Sequence, residues 1–181
     1  YARERGPSGD TVVFRCGDLG CEFGGIPGPG TPPLPIVGID EDLLDSPPNL
    51  LIGTVDKFAM LAWTPAARSI FGLDDSGRHR GVPPTLIIQD ELHLISGPLG
   101  SMVGAYETVI EALSVDPLGG MVLPKIVAST ATISRAREQI SGLYARSGVM
   151  LFPPSGLDAA DSFFAREAVE EDGSPKPGRL Y

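Results

Sequence analysis

With 181 residues, 42% of them hydrophobic, the chain is long enough to bury one sizeable core and too apolar to be a disordered tail. Its 23 acids against 14 Lys and Arg leave a formal charge of −9, which excludes a generally basic nucleic-acid surface and confines any such contact to local groups. No apolar run reaches the roughly 20 residues of a membrane-spanning helix, and the start YARERGPSGD carries no apolar leader; the expected setting is cytoplasmic, without a membrane partner, in a chain cut from something longer.

The first apolar run, Thr11–Cys16, reads as a strand and ends at Cys16, with four residues between it and Cys21. Two cysteines at that spacing make a candidate zinc half-site, because structural zinc needs four ligands and His79 and His93 do not complete the set. A Gly/Pro-rich stretch, Gly24–Pro35, closes an N-terminal segment placed at residues 1–35.

Further strands are expected at Leu50–Val55, Thr85–Asp90, Lys125–Thr130 and Val149–Phe152, with helices at Asp56–Trp63, Leu99–Leu113 and Ser134–Tyr144. The alternation reads as α/β with a mainly parallel sheet flanked by helices. Phe58, Met60, Leu61 and Trp63 are expected to face the core, and in the second helix so are Met102, Tyr106, Val109, Ile110 and Leu113. Past Phe152 the pattern weakens into an acidic segment, 155–181, which packs through Phe163 and Phe164 and then leaves the domain.

The stretch PPTLIIQDELHLISGPLGS carries the chemistry. Ligand crevices of open parallel sheets lie at the carboxyl ends of strands, and Asp90 and Glu91 fall at such an end. One carboxylate there can hold Mg²⁺ through water while its neighbour activates the attacking water. An isolated Asp-Glu pair is more often a solvated strand end, so the rest of the chain must decide.

DELH followed about forty residues later by STAT, after another apolar strand, resembles motifs II and III of the DExH-type superfamily 2 helicases, and IGTVDKF sits where that family contacts a nucleic-acid strand. LPIVGIDEDLLDSPPNLLIGTVDKFA, YETVIEAL, PKIVASTATI, FPPSGLDAADSFFARE and GRLY extend the resemblance from Leu34 onward to the helicase of the DISARM anti-phage system. The resemblance implies an ATP- and Mg²⁺-dependent motor, with residues 36–154 forming the later part of its first RecA-like domain and 155–181 leading to the second. It makes Asp90 the Mg²⁺-side carboxylate, Glu91 the catalytic base, and His93 the partner of the coupling segment Ser129, Thr130, Ala131 and Thr132. It also places Thr54 and Lys57 on the nucleic-acid backbone, implies DNA rather than RNA, and implies partner subunits of a defence system. Free amides and an ammonium at the start of the Asp56 helix point independently to a phosphate contact.

One required part is missing. A phosphate loop ends in Gly-Lys-Ser/Thr, whereas Lys57, Lys125 and Lys176 follow Asp56, Pro124 and Pro175. The chain by itself is therefore expected not to hydrolyse ATP. A non-catalytic α/β adaptor remains the alternative; a two-metal nuclease lacks the further carboxylate or lysine it needs.

Overall fold

The computed structural model describes residues 2–6, 9–25, 30–115, 122–131, 135–154, 156, 163–164 and 166–178, with side chains from residue 11 onward. The described residues form an α/β arrangement with a two-stranded parallel sheet flanked by helices, compatible with part of a RecA-like fold.

Strands β1 (Ala2–Gly6) and β2 (Gly9–Val13) pair antiparallel, from Ala2 opposite Val13 to Gly6 opposite Gly9. The expected strand at Thr11–Cys16 therefore enters β2 only as far as Val13; Phe14 and Cys16 continue as isolated bridges to Leu34 and Gly24. Helix α1 (Asp40–Asp45) packs on a 3-10 segment, Pro65–Phe71, and the Ser69 hydroxyl donates to the Leu44 carbonyl at 2.6 Å.

The parallel pair is β3 (Leu86–Gln89) and β4 (Lys125–Ala128), in register from Leu86 opposite Lys125 to Gln89 opposite Ala128. Side chains alternate across a strand. Ile126 and Ala128 face inward onto a core of Leu92, Ile95, Val103 and Tyr144, which Val55, Ile140 and Leu143 complete. Leu86, Ile88 and Val127 point the other way and are 50%, 66% and 45% exposed. Helices α3 (Gly97–Leu113) and α4 (Ala136–Tyr144) cover the inner face and pack on each other. No helix among the described residues is long and apolar enough to cross a membrane.

Two expected strands do not form. Residues 51–54 have no regular structure and helix α2 (Val55–Phe58) begins directly after them, while Leu50 and Ile52 are 72% and 87% exposed. Val149–Phe152 is likewise irregular. An apolar β-branched run becomes a strand only where a neighbour completes its hydrogen-bond ladder, and neither run meets one among the described residues. The helix expected at Asp56–Trp63 is α2 continued as a 3-10 turn, Ala59–Ala62, and Trp63 is exposed, not core.

Helix α3 buries Ile110 as expected and leaves Tyr106 and Leu113 half-buried, but the rest of its seam differs from the expected face. Met102 and Val109 are largely exposed, and the seam is Val103, Glu107 and Ile110, with Ser114 just beyond the helix. Burial pushes the Glu107 carboxyl up to about 7, with repulsion from Glu111 adding and Arg146 opposing. Nearby, Arg146 pairs with Glu111 and donates from Nη1 to the Pro124 carbonyl at 2.8 Å.

An acid whose folded value is raised costs no stability below its ordinary range, where it is protonated in both states, and costs most above its folded value. The folded state should therefore weaken between about pH 4.5 and 7 on account of Glu107. Glu107→Gln should stabilise the chain by on the order of 2 kcal/mol at about pH 8 and change little at about pH 4. Denaturant melts at the two pH values check this, and an equal effect at both would show that Glu107 does not titrate in this range.

Candidate nucleotide site at the strand ends

β3 runs out at Gln89, and its carboxyl end lies beside that of β4, so Asp90 and Ser129 emerge from adjacent parallel strands. The Ser129 amide donates to the Gln89 carbonyl and the Leu92 amide to the Ser129 carbonyl, each at 2.9 Å. The Ser129 hydroxyl donates to Asp90 Oδ1, which also accepts the Glu91 amide at 2.9 Å. The Ser129 hydroxyl first, and then the Glu91 amide, hold the Asp90 carboxyl below its ordinary value. Asp90 is thus an ionised, exposed oxygen donor at a strand end, the kind of group that suits Mg²⁺.

Glu91 has φ 52° and ψ 44°, the left-handed conformation that costs a non-glycine residue about 1 kcal/mol or more. The turn starts the 3-10 segment Leu92–Leu94, which sends Leu92 into the core and leaves the Glu91 side chain 58% exposed beside Asp90. His93 brings Nδ1 to 3.2 Å from Glu91 Oε2, close enough for an ion pair when the imidazole is protonated but without hydrogen-bond geometry. Beneath this turn the Gln139 amide of α4 donates to the Leu92 and Ile95 carbonyls, both at 2.7 Å.

The structure therefore brings Asp90, Glu91, His93 and Ser129 together. Thr130 and Ala131 follow Ser129 directly, and Thr132 lies outside the described residues. Gln139 could not be found from sequence, because an amide on a polar helix carries no signal until its carbonyl partners are placed.

Thr54 and Lys57 are differently situated. Thr54 ends no strand; it precedes the short α2 and makes no side-chain cap. Lys57 Nζ is 2.6 Å from Asp40 Oδ2, so its charge is balanced within the protein. Val55 between them packs against the core that carries Leu92. Cys16 and Cys21 are half-buried free thiols at either end of a turn in which the Cys16 amide donates to the Phe23 carbonyl and the Gly24 amide to that of Cys21. No group of three or more metal-binding side chains occurs among the described residues.

The chain is 40% identical over 175 residues to the DISARM protein DrmA of Bacillus paralicheniformis, a match covering 82% of this chain. Over most of its own length the chain is similar to that DISARM protein. It spans about 15% of the length of that curated relative. No protein-family model matches the chain. The similarity assigns no role to any side chain of the strand-end site.

Proposed function

We propose that this chain is the strand-end part of a RecA-like, ATP-dependent motor that moves on nucleic acid, DNA in the first instance, and serves phage defence together with partner subunits. The observation that supports it most is the pairing of Asp90 with Ser129 across adjacent parallel strands, the arrangement a helicase needs if events at the nucleotide are to reach the segment after β4.

The residues present fit magnesium and nucleotide in part. Asp90, ionised and fixed by two donors, would hold Mg²⁺ through water, and Glu91, turned away by its left-handed backbone, would take the proton of the attacking water. Bound Mg·ATP supplies the transferable phosphoryl group and the charge that the metal offsets. The Gly-Lys loop for its phosphates is absent from this sequence and would come from another part of a longer polypeptide. Cys16 and Cys21 would give two of four ligands to a structural zinc completed in the same way.

A test uses the longer protein that carries this chain with a phosphate loop, measuring ATP hydrolysis with and without single-stranded DNA. Ser129→Ala should lower basal hydrolysis, because the hydroxyl fixes Asp90, and lower its stimulation by DNA further still, because the same hydroxyl links the strands. Absence of ATP hydrolysis in the unsubstituted protein, or full stimulation in the variant, would overturn the reading.

A further inference from the structure

The hairpin that follows Phe71 is built around one carboxylate. Asp74 Oδ1 accepts the Ser76 amide at 2.9 Å, the Ser76 hydroxyl at 2.6 Å and the Arg78 amide at 2.9 Å, while Oδ2 accepts Arg80 Nε at 2.9 Å. The Ser76 hydroxyl foremost, with Arg80 and the Arg78 amide, keeps Asp74 ionised far below the usual carboxylate range. Backbone bonds from Asp74 to the Arg78 carbonyl and from Arg80 to the Gly72 carbonyl, at 2.9 and 2.7 Å, close the hairpin around the Leu73–His79 bridge.

Two glycines make this shape available. Gly72 and Gly77 have φ of 71° and 76°, and a Cβ on Gly72 would lie 2.7 Å from the Gly81 carbonyl oxygen.

Alternation about the bridge turns His79 inward, where Nδ1 is buried, and places Arg78 and Arg80 together on the opposite face, roughly 6 to 7 Å apart. Both are exposed, Arg80 with a 77% exposed side chain that spends only Nε on Asp74. Arg68 is a third exposed cation, its carbonyl bonded to the Leu73 amide at the hairpin's root.

We propose that this braced hairpin, through Arg78 and Arg80 with Arg68 beside them, is a contact for the phosphate backbone of nucleic acid. The choice of nucleic acid over another polyanion rests on the motor reading; the placement of the cations does not. A guanidinium fork matches phosphate oxygens bidentately, and Asp74 holds the loop in one form, which limits the ordering cost of binding. In a chain of charge −9, Arg68, Arg78 and Arg80 outnumber Asp74 and Asp75 around this hairpin, a local exception to a repulsive surface. Lys57, the cation expected to meet the strand, is paired with Asp40 through its one nitrogen, whereas Arg80 meets Asp74 through Nε alone.

The longer protein carrying this chain can be titrated into a fluorescein-labelled single-stranded oligodeoxynucleotide, followed by anisotropy across a salt series. Arg78→Ala with Arg80→Ala should weaken binding about tenfold at about 0.05 M salt and flatten the logarithmic salt dependence by about 1.4, as expected for two lost phosphate contacts on a single strand. Arg78→Lys with Arg80→Lys should restore most of the slope but not all of the affinity. Unchanged affinity and slope in the double alanine variant would overturn the proposal, as would failure of the unsubstituted protein to bind the oligonucleotide. ATP hydrolysis without DNA, measured in parallel, separates the two readings: its absence sinks the motor, whereas basal hydrolysis with unaltered binding in the double variant sinks only the hairpin.

Discussion

Glu91→Gln should lower ATP turnover in the longer protein by roughly three orders of magnitude while leaving Mg·ATP affinity within a few-fold. The amide preserves the size of the side chain and leaves the neighbouring Asp90 bound to Ser129 and to the residue-91 amide, so the metal-side carboxylate is undisturbed. What it removes is the proton acceptor and the negative charge 3.2 Å from His93. The loss should therefore sit in the chemical step, visible as a low rate in single-turnover quench-flow with unchanged nucleotide titration. Turnover near that of the unsubstituted protein would take Glu91 out of the role of base, and a parallel collapse in affinity would mean that it holds the metal instead.

Leu92→Ala should be the most damaging apolar truncation near the site. Leu92 is fully buried among Ile95, Val103 and Tyr144, and it lies in the sequence between the two site residues Glu91 and His93. Removing a buried isobutyl group costs about 2 to 5 kcal/mol, a large part of the roughly 5 to 15 kcal/mol that keeps a domain folded. In a chain of this length the melting temperature should fall by about 10 °C. Thermal melts by circular dichroism check this; a loss below about 1 kcal/mol would show that the core under the acid pair is loosely packed.

What was legible in the sequence, and what was not, follows from the range of the forces involved. The TLIIQD and KIVAST runs announced two strands, and the order of DELH and STAT implied that they end side by side, as β3 and β4 do. LLIGTV has the same local character and forms no strand, because strand formation depends on a neighbour that local composition does not contain. The seam of α3 was legible at Ile110 but not at Glu107, because apolar periodicity counts hydrophobic residues and a carboxylic acid here occupies a buried position between Val103 and Ile110. Lys57 looked available because its partner, Asp40, lies 17 residues earlier. The bracing of the hairpin by Asp74 was hidden in DDSGRHR, which reads as a polar loop until the carboxylate's four donors are placed.

Helix α4 has a mechanical consequence. From near its middle the Gln139 amide grips the carbonyls of Leu92 and Ile95, and just beyond its carboxyl end Arg146 grips Glu111 and the carbonyl of Pro124, immediately ahead of β4. Nine residues of helix make a strut about 13 Å long, stiff along its axis because every turn is closed by hydrogen bonds. A strut held at two points along its axis passes a push from one to the other with little loss. Any displacement of the turn after the acid pair is therefore delivered to the root of the neighbouring strand as well as to its tip, so that β4 is loaded from both ends and tends to shift as a piece.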